Sequence, residues 1–257
     1  MIELDKIYNE DCLEGMKRME AESVDLTVTS PPYDNLRTYN GYCFDFENIA
    51  RELYRVTKQG GVVVWIVGDQ TANGTESGSS FRQALGMMDV GFNLSDTMIW
   101  NKPNPAPIFP AKRYRQSFEY MFVFVKGTVK TFNPIMVKCK KAGQAFNSDI
   151  QVRRGKGQKE HRAFKINDTK VDSNVWNITV DQRRNGHPAV FPLELAKRHI
   201  SSWSNEGDVV LDPFMGSGTT AIVARALRRH YIGFEISAEY CAIAEKGLND
   251  NRSIFDF

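Results

Sequence analysis

The chain has 257 residues, 42% of them hydrophobic and 25% charged, with a formal net charge of +2. That composition supports one large domain or two small ones and excludes a disordered chain. The longest apolar runs, such as Val62 to Val67, are of strand length, far short of the ~20 residues of a membrane-spanning helix.

At the N-terminus, Met1-Ile2-Glu3-Leu4-Asp5 lacks the basic-then-apolar pattern of a signal peptide. Lys6-Ile7-Tyr8 predicts a short strand ending at Asn9-Glu10-Asp11-Cys12, and Leu13, Met16 and Met19 then recur at helical spacing. The β-branched run from Val24 to Thr29 predicts a buried strand. Pro31 and Pro32 stop it, because neither can donate to a ladder. Ser30, Pro31, Pro32 and Tyr33 are therefore thrown beyond the strand's carboxyl end, the edge where open α/β sheets bind ligands. Taken alone, this stretch is a plain strand terminator.

A polar and aromatic loop follows over 34–45. Phe46, Ile49, Ala50, Leu53 and Tyr54 then mark an amphipathic helix. Gly60-Gly61 is expected to close that connection before the most apolar strand, 62–67. Residues 71–80 are read as a loop and 81–88 as a helix. Strands over 94–100 and 118–125 flank the proline-rich 101–110, which predicts an antiparallel edge on a parallel sheet.

Charge is unevenly distributed. Residues 126–186 carry fourteen Lys or Arg and five Asp or Glu, a net +9 that leaves −7 for the rest. The segment shows little periodicity and contains the run Arg153-Arg154-Gly155-Lys156. Composition fits a solvated insertion and a polyanion-binding surface equally well.

After His187-Pro-Ala-Val-Phe-Pro192 come a helix over 193–202 and a strand over 208–212. The strand Asp208 to Asp212 enters the loop Pro213-Phe214-Met215-Gly216-Ser217-Gly218, and Thr219 and Thr220 open the next helix, through Arg229. Gly216 and Gly218 allow close backbone approach, and a helix N-terminus attracts an anion. Glu235 ends the next strand nineteen residues after Gly216, where an acid is suited to ribose hydroxyls. Ser237 caps a closing helix. No Gly-Lys-Ser/Thr string marks a phosphate loop, and the G-x-G-x-x-G spacing of a dinucleotide site is missing. The pattern points to an adenosine-containing cofactor. His161, His187, His199 and His230 show no ligand spacing, so no metal is expected. Cys12, Cys43, Cys139 and Cys241 form no CxxC pair, which predicts a reducing, cytoplasmic setting without disulfides.

Together Thr29-Ser-Pro-Pro-Tyr33 and Asp212-Pro-Phe-Met-Gly-Ser-Gly-Thr-Thr220 resemble the amino-group DNA methyltransferases, in the motif order of their β class, over nearly the whole chain. The resemblance implies a Rossmann-like α/β fold, a mostly parallel seven-stranded sheet in permuted order, with a basic insertion. It divides the chain into a catalytic half, 1–125, a target-recognition insertion, 126–186, and a cofactor half, 187–257. It implies S-adenosylmethionine over Asp212, Pro213, Phe214, Gly216, Ser217, Gly218 and Thr219, with ribose on Glu235 and adenine near Asp11 and Cys12. Asp11 alone reads as a helix N-cap; the resemblance implies that HPAVFP is a pocket wall, while Phe191 alone reads equally well as core. The implied partner is double-stranded DNA, contacted by Arg153, Arg154 and Lys156, without a membrane. Sequence does not decide between a monomer and a homodimer, nor whether a cognate restriction endonuclease exists.

The chemistry agrees with this assignment. An exocyclic amino nitrogen is a poor nucleophile because its lone pair is delocalised. Acceptors on its N–H bonds aim the lone pair and stabilise the developing positive charge. The Ser30 hydroxyl and the Pro31 carbonyl are suitable, and Tyr33 can stack on a flipped base. Ser30 resembles the cytosine-N4 enzymes, since adenine-N6 enzymes usually carry Asp or Asn there. Adenine N6 is the alternative target. The further alternatives are RNA or protein-glutamine methylation and a non-catalytic DNA-binding module.

Overall fold

The computed structural model describes residues 2–32, 44–105, 112–151, 159–180 and 192–250. The chain divides into two compact units, Met1–Asn133 with Asn174–Phe257, and Pro134–Ser173.

The larger unit runs β1 (Lys6–Tyr8), α1 (Cys12–Lys17), β2 (Val24–Thr29), α2 (Phe46–Val56), β3 (Thr57–Val67), β4 (Thr71–Ala72), β5 (Thr75–Glu76), α3 (Ser79–Asp89), β6 (Asn93–Asn101) and β7 (Phe118–Val125). The smaller unit holds β8 (Met136–Lys138), β9 (Ala145–Gln151), β10 (Lys159–Lys165) and β11 (Thr169–Val171). The larger unit resumes with β12 (Val175–Asn177), α4 (Leu193–Trp203), β13 (Val209–Asp212), α5 (Thr219–Ala226), β14 (His230–Phe234) and α6 (Ala238–Asn249).

Among the described residues the main sheet has eight strands, ordered β1-β14-β13-β2-β3-β7-β6-β12. All neighbours are parallel except the pairs made by β7, which is antiparallel to both β3 and β6. The expected mostly parallel α/β sheet in permuted order is present, and β13 and β2 are adjacent near its centre. The eighth strand is β12, from inside the basic stretch. It covers the β6 edge, so the antiparallel pair is internal rather than marginal.

Strand alternation divides the core into two layers. Val63, Trp65 and Val67 pack with Met16 of α1, Ile49 and Leu53 of α2 and Met87 of α3. The intervening Val62, Val64 and Ile66 are equally buried. Helices α4, α5 and α6 pack in sequence, and α4 meets β2 and places His199 3.2 Å from the Met121 sulfur of β7. A strand covered on both faces must be apolar throughout, and 62–67 is. No helix among the described residues is long and apolar enough to cross a membrane.

Three local readings need correction. Gly60-Gly61 does not precede the strand, because β3 starts at Thr57 and runs through the pair. Its register against β2 shifts between Val24 and Leu26, and a Cβ on Gly61 would lie 3.0 Å from the Asp25 carbonyl. The glycines therefore make a bulge. Residues 71–80 are not all loop: Asn73 (φ 52°) and Gly74 (φ 79°) turn the β4–β5 hairpin, and α3 begins at Ser79. The aperiodic basic stretch contains two short antiparallel ladders, β8–β11 and β9–β10.

The smaller unit is narrower than the insertion expected over 126–186. It carries ten Lys or Arg and four Asp or Glu. Lys126 belongs to the larger unit and is buried, its Nζ donating to the Tyr54 and Thr57 carbonyls at 2.9 Å each and pairing with Glu22. It neutralises the C-terminal end of α2, so it is not a free surface charge.

Candidate active site

The parallel pairing of β13 with β2 sets Val210 beside Leu26 and Leu211 beside Thr27. Their carboxyl ends, Asp212 and Thr29, therefore emerge together. Asp212 is 1% exposed, and three donors meet its carboxylate. Oδ1 accepts from the Thr29 hydroxyl at 2.6 Å and from the Phe214 N–H at 3.0 Å, and Oδ2 accepts from the Thr220 hydroxyl at 2.7 Å. The Thr220 hydroxyl also lies 3.3 Å from the Val28 carbonyl. One side chain thus ties the end of β2, the start of the glycine loop and the first turn of α5. Burial pushes its carboxyl up to about 6, against the opposing pull of the two threonines and the Phe214 N–H.

Directly after this clasp, Ser30 is half-buried, Pro31 buried and Pro32 half-buried. Tyr33 lies outside the described residues, as do Arg153, Arg154, Lys156 and 187–191 of HPAVFP.

The glycine loop is held from its other side by Glu235, which is 8% exposed. One carboxylate oxygen accepts from the Gly216 N–H and the other from the Ser237 N–H, each at 2.8 Å. Burial raises the Glu235 pKa, and these N–H donors lower it. Asn9 Nδ2 donates to the Glu235 and Ile236 carbonyls at 2.9 and 3.0 Å, joining the β1 end to the same corner. Ile236 is left 46% exposed beside the acid.

Gly218 has φ 87° and caps α5 without a side chain. A Cβ there would fall 2.7 Å from Ala244 Cβ, so this glycine serves close packing on α6. Pro213 and Thr219 are buried, while Phe214, Gly216 and Ser217 are half-buried. The Phe214 ring packs on Trp65, with centroids 6.2 Å apart. Asp11 acts as the N-cap of α1, accepting from the Leu13 and Glu14 N–H groups at 2.8 and 3.1 Å, and Cys12 is buried behind it. His199 is buried against Trp176, and burial lowers its pKa to about 3, which keeps it neutral.

Residues 24–246 match the N6/N4 DNA methylase family. The chain belongs to that family.

Its relatives include the orphan methyltransferase M.BamHII of Bacillus amyloliquefaciens, 52% identical over 89% of each chain. The type II methyltransferase M.SmaI of Serratia marcescens is 29% identical over 95% of this chain and 90% of its own. Among solved structures, the PvuII DNA methyltransferase (cytosine-N4-specific) shares the fold with a TM-score of 0.73 at 23% identity, over 96% of this chain and 87% of its own. The M1.HpyAVI–SAM complex gives a TM-score of 0.63 at 26% identity, over 94% of this chain and 98% of its own.

This DNA methylase uses S-adenosylmethionine to methylate an exocyclic amino group in DNA. Its corner suits that cofactor by chemistry. A buried carboxylate is already aimed at the glycine loop by Gly216, an exposed Ile236 gives an apolar face beside it, and a helix N-terminus lacks a side-chain cap. Sequence reading missed Thr29 and Asn9 as members of the site. Thr29 was legible as a strand residue at the head of the Thr29–Tyr33 motif but not as the partner of Asp212, which lies 183 residues away. Asn9 stood in a polar stretch with nothing to mark its side chain.

Proposed function

We propose that this methylase modifies N4 of cytosine at a specific site in double-stranded DNA. S-adenosylmethionine supplies an activated methyl group whose sulfur is the leaving group. The chain holds the flipped cytosine so that its amino nitrogen faces that methyl. The Ser30 hydroxyl and the Pro31 carbonyl accept from the two amino hydrogens, and Pro32 fixes the backbone that presents them. As the nitrogen–carbon bond forms, positive charge grows on the nitrogen, and these acceptors stabilise it more than they stabilise the ground state. Tyr33 stacks on the base. The proton then leaves to water.

Glu235 takes the ribose hydroxyls with lone pairs that the Gly216 and Ser237 N–H groups leave over. Asp11 and Cys12, with the exposed Ile236 beside Glu235, would hold the adenine. Phe214 to Gly218 would hold the methionine end, and the uncapped N-terminus of α5 would attract its carboxylate. Arg153, Arg154 and Lys156 contact phosphates.

The observation that carries the choice of base is Ser30, the first residue after the Thr29–Asp212 clasp. A neutral hydroxyl stands there in place of the acid or amide usual for adenine N6. Mass spectrometry of nucleosides from DNA incubated with the protein and the methyl donor tests it. N4-methylcytosine is expected, and N6-methyladenine alone would overturn the choice.

A further inference from the structure

Strand β3 leaves the sheet at Val67, paired with Tyr120, and β7 enters at Phe118, paired with Asn101 at the end of β6. Residues 112–117 therefore approach β7 at the same carboxyl edge that presents Ser30. Strands β2 and β7 are two steps apart in the sheet, roughly 10 Å at the usual spacing.

On this segment Tyr114 is 98% exposed, the most exposed large hydrophobic side chain among the described residues. Both neighbours are anchored. Arg113 donates to the Thr71 hydroxyl at 2.6 Å and pairs with Glu76, on the two strands of the β4–β5 hairpin. Arg115 donates to the Pro105 carbonyl at 2.6 Å. Lys112 beside them is exposed. A ring held outward by two fixed arginines, next to an exposed lysine, is placed to meet a polyanion with stacked planar groups.

Building on the base-flipping reading above, we infer that Tyr114 enters the duplex and fills the gap left when the target base is extruded. An empty gap leaves the neighbouring bases unstacked on one side. An aromatic ring stacks on any base whatever its sequence, which suits a filler that carries no recognition. The phenol hydroxyl stays at the polar groove edge. Arg113 and the hairpin hold the tyrosine in position before DNA arrives, so little order is lost on entry.

The test compares the parent with Tyr114→Ala and Tyr114→Phe. The substrates are a duplex carrying the site mapped from methylation marks and the same duplex with the target base mismatched. A mismatched base is already partly unstacked and flips more easily. Tyr114→Ala is expected to lower kcat/KM on the matched duplex by about tenfold or more, and to lose much less on the mismatched one. Tyr114→Phe should match the parent on both, since the ring does the stacking. Affinity for S-adenosylmethionine should be unchanged in all three. A Tyr114→Ala protein as active as the parent on the matched duplex overturns the proposal, as does an equal loss on both duplexes. A parent protein that methylates no DNA overturns the base-flipping reading itself.

Discussion

Replacing Asp212 separates the two roles of its carboxylate, which are to accept three donors and to carry a buried charge. In Asp212→Ala the Thr29 hydroxyl and the Phe214 N–H lose their acceptor, while Thr220 retains the Val28 carbonyl at 3.3 Å. Two buried donors left unmatched cost about 1–3 kcal/mol each, or about 2–6 kcal/mol together. Asp212→Asn keeps the shape. Its amide oxygen accepts from Thr29 and Phe214, and its NH2 donates to Thr220, whose own hydrogen turns to Val28. The asparagine variant is therefore expected to stay folded and to lose the titration.

Burial raises the Asp212 carboxyl from 3.8 to about 6. That shift corresponds to roughly 3 kcal/mol favouring the protonated folded state. A folded-state pKa above the unfolded one means that this stability is fully present below about pH 4 and is lost as pH rises through about 6. Between about pH 5 and 8 the difference between Asp212→Asn and the parent should therefore move in favour of asparagine by about 1 kcal/mol. Urea denaturation followed by tryptophan fluorescence at those two pH values measures all three proteins. An alanine variant as stable as the asparagine variant would refute the clasp. A parent-to-asparagine difference that does not change with pH would refute the buried charge.

Glu235→Ala should weaken S-adenosylmethionine binding by about 1.5–3 kcal/mol for each ribose hydrogen bond lost, read by calorimetric titration. Unchanged affinity in a folded variant would remove Glu235 from the cofactor site. Neutralising Arg153, Arg154 and Lys156 together should weaken DNA binding and flatten its salt dependence by up to ~0.9 log unit per lost phosphate contact, while leaving cofactor affinity unchanged. DNA affinity and salt slope equal to the parent's would make that run a solvated insertion.

The parts of the site legible in the sequence are those that punctuation marks. Pro31-Pro32 must end a strand and Gly216-Ser-Gly218 must interrupt one. A β-branched run before the prolines, and an acid nineteen residues past Gly216, then place both at one sheet edge. Pairing across the fold leaves no local trace, so the Thr29–Asp212 contact was invisible. The bulge at Gly60-Gly61 was misread because a glycine pair looks the same whether it ends a connection or bends a strand. Asn73-Gly74 was a legible type I′ signal, obscured by the surrounding Ser, Thr and Gly. Lys126 was grouped with the basic surface because charge counting ignores burial. Strands β8 and β11 of the smaller unit escaped because they are three residues long, too short for a period to register.

Methyl transfer to cytosine N4 at a defined DNA sequence is the activity proposed for this methylase. It is tested most directly by sequencing the methylation marks on unmodified DNA after incubation with the protein and S-adenosylmethionine. N4-methylcytosine is expected at one position of one short sequence, at essentially every copy of it. Marks on adenine alone, or cytosine marks scattered without a common sequence, would contradict it.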